Sequence, residues 1–294
     1  MPRSMAYAER FCPAKGVDMA TALLQISDLH VGSDPVHTKR AADLVERIVA
    51  KWGHSANRPA VVITGDIVND GAESQYQDAK QIIGRLRSGG FQTICLPGNH
   101  DYGRAGYHAE AKRFELFKQY IADPATQWRY PNCIRLPGWA IISLDSMQSE
   151  CGFWDGLFAD GELGGAQIAE VAGMLAALVD ERATGLRVAV CLHHHPFLFP
   201  DDPPYRSAYE KLAHRLKDGD AWMKTLAGSV DALLFGHEHR HVNFAETFPN
   251  DDLPKKYGIP TILSCGSSTA SDRGVGWLIG PQETGGVSPK SVDL

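Results

Sequence analysis

The stretch that most constrains this chain is Leu23-Leu24-Gln25-Ile26-Ser27-Asp28-Leu29-His30, an apolar run that ends at a carboxylate and an imidazole. A run of this length predicts one buried strand. In open α/β sheets, ligands bind outside the carboxyl ends of the strands. Asp28 and His30 therefore stand where a ligand would bind. An Asp-x-His pair alone is weak evidence, because many loops contain one by chance.

The same arrangement recurs after four later apolar runs. Their ends carry Asp66, Asn99 with His100, the triplet His193-His194-His195, and His237 with His239. Each of these has an ordinary interpretation as a turn former, a helix cap or a polar edge. Five strands that all end in ligand residue types, at one edge of one sheet, favour a shared site instead.

Helical patterns separate the first three predicted strands. Apolar residues repeat at helical spacing from Ala41 to Trp52, where Thr38 is the predicted cap, and again from Tyr76 to Leu86. Strand–helix–strand order at this spacing predicts βαβ units and a largely parallel sheet. A further helix is predicted from Gln167 to Arg182.

Later runs and both ends complete the predicted organisation. Residues 241–246 and 261–264 are predicted as strands of a second sheet that is antiparallel at least in part. No repeat or low-complexity linker divides the chain, so residues 21–280 are predicted as one domain. Residues 1–20 are predicted as a flexible leader and residues 281–294 as a flexible tail.

Charge and cysteine content exclude several classes of protein. A formal net charge of −6 provides no basic field to recruit nucleic acid or acidic lipid. No run approaches the roughly 18 apolar residues of a membrane span, and the first residues lack the apolar core of a secretory signal. None of the six cysteines forms a C-x-x-C pair. Reduced thiols in a cytoplasmic protein are expected.

The candidate ligands offer oxygen and nitrogen but no thiolate. Imidazole suits Zn, Fe and Mn, whereas carboxylate and amide oxygens suit harder ions. The candidates outnumber the ligands of one ion, so two ions are expected, with Mn, Fe or Zn as the alternatives. Two ions about 3.5–4 Å apart can stabilise the attacking and leaving oxygens of an in-line displacement at phosphorus. Asp66 is the best candidate for the carboxylate that bridges them.

Taken together, these blocks resemble the calcineurin-like metallophosphoesterases. The matching blocks are Asp28-x-His30, Gly65-Asp66, Gly98-Asn99-His100-Asp101, His194-His195-Pro196 and Gly236-His237-Glu238-His239. They span about Leu23 to His239 in the family's order and spacing. The resemblance implies an α/β fold of four layers (α/β/β/α), in which two facing mixed sheets are flanked by helices and a dinuclear centre lies at the strand ends.

The resemblance also implies a ligand set. The first metal would take Asp28, His30, Asp66 and His239, and the second would take Asp66, Asn99, His237 and one histidine of the triplet. Counting back from Pro196 makes that histidine His194, and a register shift of one residue would make it His193.

Catalytic and substrate roles follow from the same resemblance. His100 would assist the leaving-group oxygen, Asp101 would orient His100, and a metal-bound hydroxide would attack in line. His195, Tyr102 and Arg104 are the candidate substrate contacts. Other loop groups beside the blocks could stack a base or contact phosphate, although such residues more often pack against their own loops: Tyr107, His108, Trp154, Phe197, Tyr205 and His241.

Departures from the family pattern indicate which branch of the metallophosphoesterases the chain resembles. No arginine follows Gly65-Asp66, as it does in phosphoprotein phosphatases, and Asn69 stands where purple acid phosphatases have a tyrosine ligand. Leu144-Asp145 and Gly161-x-Leu163-x-x-x-Gln167 look like connecting segments of the bacterial phosphodiesterases. The resemblance therefore implies a small-molecule phosphodiesterase, similar to the class III cyclic-nucleotide phosphodiesterases and the glycerophosphodiesterases.

Other functions stay open beside this one. A phosphomonoesterase of the same superfamily is the nearest alternative, followed by a nuclease and a non-catalytic scaffold. A nuclease would be expected to carry a basic, aromatic-laced surface, which this acidic chain lacks. Dimers are common in the branch, so a homodimer is kept as an alternative.

Overall fold

The first sheet contains the three strands that come earliest in the chain. The structure, a computed structural model, describes residues 20–104, 106, 109–122, 129–149, 161–202, 216–281 and 286–294. The sheet consists of β1 (Leu23–Ile26), β2 (Ala60–Thr64), β3 (Thr93–Leu96), β10 (Val275–Pro281) and β11 (Val287–Asp293), in the order β11-β10-β1-β2-β3. β1, β2 and β3 are parallel, as the βαβ pattern predicts, whereas β10 and β11 are antiparallel additions.

The second sheet is also mixed. It consists of β4 (Asn132–Leu136), β5 (Trp139–Ser143), β6 (Arg187–Cys191), β7 (Ala232–Phe235), β8 (Val242–Asn243) and β9 (Thr261–Ser264), in the order β4-β5-β6-β7-β9-β8. β5, β6, β7 and β9 are parallel, and antiparallel β4 and β8 form the two edges.

Helices cover the outer face of each sheet. The described helices are α1 (Pro35–Trp52), α2 (Glu73–Ser88), α3 (Asn99–Tyr102), α4 (Ala111–Tyr120), α5 (Gly165–Ala177), α6 (Val179–Ala183), α7 (Gly219–Leu226), α8 (Phe244–Thr247) and α9 (Leu253–Tyr257). The buried faces of α1 and α2 pack on the first sheet, and those of α5 and α7 pack on the second. A third apolar cluster lies between the sheets. These layers confirm the predicted α/β/β/α arrangement.

Polar contacts join the two sheets close to the strand ends. The buried Gln25 side chain of β1 donates to the Phe235 carbonyl of β7 at 3.0 Å. The Trp277 indole of β10 donates to the Ser264 carbonyl of β9 at 2.9 Å. Buried hydrogen bonds of this kind restrict how one sheet can slide on the other, because a shift would leave the groups unpaired.

Several predicted boundaries are corrected. Asp34, rather than Thr38, caps α1, since its carboxylate accepts from the backbone N–H groups of Val36 and His37 at 2.7 and 2.8 Å. The helix predicted from 167 to 182 is interrupted at Leu178, which separates α5 from α6. Only Val242–Asn243 of the strand predicted at 241–246 is extended, because α8 begins at Phe244.

The predicted flexible tail is wrong for residues 287–293. They form β11, which pairs with β10 along seven residues. Alternation is weak in this stretch, because Pro289, Lys290 and Ser291 interrupt the apolar pattern. The strand is held by its partner and by Leu294, which is buried against the first sheet's helical core and pairs with Gly274.

The described cysteines are free thiols, and the described helices are too short or too polar to span a membrane. Within the described ranges, Cys95, Cys133, Cys191 and Cys265 form no disulfide. In the same part of the chain, none of the helices combines the length and the apolar content needed to cross a bilayer. Residues 1–19 of the predicted leader lie outside the described residues.

Leu294→Ala should lower the free energy of unfolding by about 2–5 kcal/mol, because it removes a buried side chain from a packed cluster. Chemical unfolding would measure the change. Lys290→Ala is the matched control, since Lys290 is exposed on the neighbouring β11 and a surface change should stay within about 0.5 kcal/mol. Equal stability of the two variants would contradict a docked C-terminal strand.

Candidate metal centre

The candidate ligands meet where the carboxyl ends of two sheets come together. Asp28 and His30 follow β1, Asp66 follows β2, and Asn99 begins α3 directly after β3. The histidine triplet follows β6, and His237 and His239 follow β7. The expectation that all these strands belong to one sheet is therefore wrong. The inter-sheet packing brings two edges into one site, which a single strand–helix pattern could not reveal.

The backbone at this site is unusual. Of six non-glycine residues with positive φ in the described ranges, five are candidate ligands: Asp28, His30, Asp66, His237 and His239, with φ between 45° and 74°. Left-handed conformations cost about 1–3 kcal/mol each and persist only where the surroundings enforce them. The turns direct these side chains inward at the strand ends, and their concentration here marks a functional site.

The candidate ligands of the first metal lie close to one another around the imidazole nitrogens of His30 and His239. His30 Nε2 lies 3.0 Å from His239 Nε2, and His239 Nε2 lies 3.3 Å from Asp28 Oδ1. His30 Nε2 is 3.9 Å from Asp66 Oδ2. Asp28 is fully buried, whereas the His239 side chain is 48% exposed. Three of the four predicted ligands of the first metal thus converge, with the fourth at their edge.

The second group converges on the amide oxygen of Asn99. His193 Nε2 lies 3.0 Å from Asn99 Oδ1, and His237 Nδ1 lies 3.1 Å from the same oxygen. His193 Nε2 is also 3.3 Å from Asp66 Oδ2. Asp66, Asn99, His193 and His237 therefore form the second set.

Asp66 lies between the two groups. Its Oδ1 accepts the backbone N–H of His100 at 2.9 Å, which leaves Oδ2 facing His30 on one side and His193 on the other. The carboxylate is 1% exposed. This is the geometry expected of a bridging ligand.

The first two histidines of the triplet differ in the direction of their side chains. His193, the alternative, reaches Asn99 and Asp66, and its Nδ1 donates to the Thr64 carbonyl at 2.8 Å. A backbone acceptor at Nδ1 leaves the Nε2 lone pair for a metal. His194 Nδ1 instead pairs with Ser146 Oγ at 2.8 Å. His193, His194 and His237 still place ligand atoms within 4.8 Å of one another, so the choice between His193 and His194 stays a prediction.

Two glycines of the blocks provide space for carboxylates. A Cβ at Gly98 would lie 2.2 Å from Asp66 Oδ1, and a Cβ at Gly236 would lie 2.6 Å from Asp28 Oδ2. Real side chains do not approach so closely. The glycines before Asn99 and His237 are therefore required by ligand packing.

Charges within the site are mutually dependent. Burial alone would raise the pKa of Asp66, but His193, His100 and His30 hold it well below its usual range. Burial would lower the pKa of His193, yet Asp66 raises it to about 9. Burial lowers the pKa of His30 to about 4 in spite of Asp66 and Asp28. The hydrogen bond to Asp28 raises the pKa of His239.

The residues fit a pair of cations. Two imidazole nitrogens 3.0 Å apart beside Asp28 and Asp66, and an amide oxygen between His193 and His237, are donor atoms aimed at common points. The groups Asp28-His30-His239 and Asp28-Asp66-His193 each place their ligand atoms within 4.8 Å of one another. Oxygen and imidazole ligands suit Mn, Fe or Zn.

His100 borders the site but is oriented differently from the prediction. Its Nδ1 donates to the Asn69 carbonyl at 2.8 Å. Asp101 does not contact its imidazole. The buried Asp101 carboxylate accepts from the backbone N–H groups of Ile67, Val68 and Gly98 at 2.9–3.2 Å. Asp101 therefore supports the turn that carries Asp66, and the expectation that it orients His100 is wrong.

The candidate substrate contacts have mixed outcomes. Tyr102 is buried, and its hydroxyl donates to Asp145 while its ring stacks on Phe114, so it is not available to a substrate. His195 is buried with its ring against Phe199. Arg104 is exposed after α3.

The other loop aromatic and polar groups also differ in placement. The ring of His241 stacks on that of Trp277 with centroids 4.2 Å apart, and its Nε2 pairs with Ser291 Oγ. Phe197 is buried in the core of the second sheet. The remaining candidates, Tyr107, His108, Trp154 and Tyr205, lie outside the described residues.

Two contributors were missed or undervalued at the sequence level. Asn69 orients His100 through its backbone carbonyl, for which side-chain identity gives no signal. Asp145 joins β5 to α3 through Tyr102 and is held by a two-way hydrogen bond with Gln167. The Leu144-Asp145 and Gln167 segments marked the branch but not this role.

The sequence profile described as calcineurin-like phosphoesterase matches residues 21–241. The chain belongs to this family. It is accordingly a metal-dependent phosphoric ester hydrolase, and members of the family use divalent metals.

Relatives with assigned activities include bacterial phosphodiesterases. A probable cyclic nucleotide phosphodiesterase of Synechococcus is 26% identical over 229 residues, which is 76% of each chain. The glycerophosphodiester phosphodiesterase GpdQ of Enterobacter lignolyticus is 44% identical over 55 residues, 18% of this chain and 19% of that protein. Both belong to the kind of protein that the sequence motifs resemble.

A solved structure agrees on the fold. The purple acid phosphatase PPD1 from yellow lupin seeds superposes with a TM-score of 0.56 at 12% identity, covering 93% of this chain. This chain spans about half (51%) of the lupin protein. At this identity the likeness supports the architecture alone.

His193→Ala should weaken Mn²⁺ binding at one of two sites at least tenfold, because it removes a group aimed at both Asn99 and Asp66. His194→Ala is the matched control, since both side chains are fully buried. Metal content per chain after reconstitution and dialysis would distinguish them. Loss of an ion in His194→Ala but not in His193→Ala would restore the register counted from Pro196.

The buried Asp145 predicts a pH-dependent difference in stability. Burial raises its pKa to about 6 from the ordinary 3.8. A raised carboxyl pKa means that the folded state binds the proton more tightly than the unfolded state does. Protonation of Asp145 therefore stabilises the folded protein fully below pH 3.8, and this contribution is lost as the pH rises through 6. The stability of Asp145→Asn relative to the parent should therefore rise by roughly 3 kcal/mol across this range.

Urea unfolding of chelator-treated protein between pH 4 and 6 would measure this change. The exposed carboxylate of Asp180 provides the control variant Asp180→Asn. A flat difference between the parent and Asp145→Asn would show that the carboxyl group ionises normally.

Proposed function

We propose that this protein hydrolyses small phosphodiesters, among which cyclic nucleotides are candidates, at a centre of two metal ions. The observation that carries the proposal is the position of Asp66 Oδ2 between His30 Nε2 and His193 Nε2, at 3.9 and 3.3 Å. A buried carboxylate shared by two ligand groups is what a pair of neighbouring cations requires.

Each ion has its own set of ligands in this proposal. Asp28, His30, Asp66 and His239 would hold the first, and Asp66, Asn99, His193 and His237 would hold the second. When bound, the ions polarise the phosphoryl oxygens and lower the pKa of a water molecule, which supplies the nucleophile for an in-line displacement. Mn, Fe and Zn are the candidate metals.

His100 is proposed to serve the leaving group. Its Nδ1–H is held by the Asn69 carbonyl, so Nε2 is the ring nitrogen that can hold or release a proton. One of its ring nitrogens lies within 4.8 Å of ligand atoms of His30 and Asp66. A proton delivered from Nε2 would stabilise the departing alkoxide.

Preference for a diester is supported by the charges near the site. Arg240, which directly follows His239, is paired with Asp201 at 2.7 Å from both carboxylate oxygens. Arg113 is taken up by Glu110 and the Asp70 carbonyl. These two guanidiniums are engaged within the chain and offer no partner for the second negative charge of a phosphomonoester, whereas the exposed Arg104 stays a candidate substrate contact. The phosphodiesterases of Synechococcus and Enterobacter support the same class.

A phosphomonoesterase of the same superfamily remains the second candidate. A small-molecule substrate and a cytoplasmic location complete the proposal, with a homodimer as an alternative, and they rest on the resemblance and on composition alone.

The first test is metal restoration. Chelator-treated protein should be inactive, and Mn²⁺ should restore hydrolysis of bis-p-nitrophenyl phosphate at a higher kcat/KM than that of p-nitrophenyl phosphate. Hydrolysis of 2′,3′- and 3′,5′-cyclic AMP would then be compared. Activity on the monoester alone would replace the diesterase with the second candidate, and full activity without metal would remove the metal mechanism.

His100→Ala should lower kcat about 10²–10⁴-fold for an alkyl diester, because a positioned acid contributes about that much. It should lower kcat far less for bis-p-nitrophenyl phosphate, whose leaving group needs little protonation. Metal content should be unchanged, and Lys80→Ala on the exposed face of α2 is the control. Equal losses on the two substrates would contradict a leaving-group role.

A further inference from the structure

A short loop behind the metal centre makes contacts that the ligand motifs do not explain. Ser267, Ser268 and Thr269 follow β9 and are 7%, 1% and 0% exposed. They lie beyond residues 21–241, which match the family profile. Three buried hydroxyls in succession need hydrogen-bond partners, because an unpaired buried hydroxyl is costly.

These hydroxyls are bonded to the backbone of the first ligand turn. Ser267 Oγ donates to the Asp28 carbonyl at 2.8 Å, and Thr269 Oγ1 contacts the Asp28 and Leu29 carbonyls at 3.3 and 3.1 Å. Ser268 Oγ accepts the N–H of Ser27 at 3.1 Å, and its own N–H donates to the Ser27 carbonyl at 2.9 Å. Each of the three loop residues thus forms hydrogen bonds with the backbone of residues 27–29.

The turn needs such partners because of its conformation. Asp28 and His30 have φ of 53° and 45°. Their N–H groups still pair with the carbonyls of Gly65 and Asp66. The left-handed bend turns the carbonyls of Asp28 and Leu29 away from this ladder, and the hydroxyls of Ser267 and Thr269 receive them.

We propose that Ser267 and Thr269 are positioning residues for the first metal ion, which hold the Asp28–His30 turn in the strained form that aims both side chains at it. This inference rests on the proposed function, since it takes Asp28 and His30 as ligands. Without the hydroxyls, the two carbonyls would lose their partners and the turn would relax toward ordinary φ values, which would separate Asp28 Oδ1 and His30 Nε2 from His239.

The alternative is that the hydroxyls only stabilise the fold. The two roles differ in what a variant changes. A purely structural role lowers the unfolding temperature and leaves the affinity of folded protein for metal unchanged. A positioning role weakens one metal site selectively, and a variant that keeps the hydroxyl rescues it.

The test uses the full chain and Mn²⁺ as the probe. Mn²⁺ titration of chelator-treated protein, followed by calorimetry and by metal content after dialysis, is compared for the parent and for S267A/T269V. Valine keeps the shape of threonine without its hydroxyl. We expect two ions in the parent, and in the double variant at least tenfold weaker binding at the site that His239→Ala also weakens, with the other site changed less than twofold.

Two matched variants complete the design. Thr269→Ser retains the hydroxyl and should bind both ions as the parent does. Ser264→Ala removes a buried hydroxyl of β9 that has no hydrogen-bond partner within the described residues, and it should leave both sites unchanged. If the double variant does not fold by circular dichroism, Thr269→Val alone is compared with Thr269→Ser.

Two negative results remain distinguishable. If the folded double variant binds both ions with the affinity of the parent, the positioning role is wrong and the dinuclear centre stands. If the parent itself binds no ion at the site of His239, the proposed function fails together with this inference.

Discussion

The carboxylate of Asp66 is the group on which the other parts of the centre depend. One oxygen is held by the N–H of His100, and the other lies between the imidazoles of His30 and His193. The neighbouring imidazoles of His193, His100 and His30 hold the pKa of this buried carboxylate well below its usual range, and the carboxylate in turn raises the pKa of His193. The fold supports this arrangement from both sides, since Asp101 ties down the following turn and Gly98 leaves room for the carboxylate.

The left-handed turns that carry candidate ligands belong to both sheets. The first sheet supplies Asp28, His30 and Asp66 on left-handed turns, and the second supplies His237 and His239 in the same conformation. Neither set forms the candidate site alone, because each proposed ligand group combines residues of both sheets. Packing between the sheets, with Gln25 reaching the Phe235 carbonyl, is therefore part of the site's chemistry. A change that shifted one sheet against the other would misplace ligands without touching them.

Sequence reasoning identified the strand ends and residue types, because apolar runs that stop at Asp, Asn or His are a local signal. It identified β9 to the residue. It missed β11, whose pairing depends on β10 more than on its own pattern, and it left His193 and His194 as alternatives, since side-chain direction after a strand is set by the turn. Asp101 and Tyr102 were misjudged because adjacency in a motif does not place two side chains on the same face. Asn69 acts through its backbone carbonyl, and the identity of its side chain gives no signal of that role.

The most direct test of a shared Asp66 is anomalous diffraction from a crystal grown with Mn²⁺. Two anomalous peaks about 3.5–4 Å apart are expected, one bounded by Asp28, His30 and His239 and the other by Asn99, His193 and His237, with Asp66 contacting both. A single peak, or two peaks that do not share Asp66, would contradict the dinuclear centre.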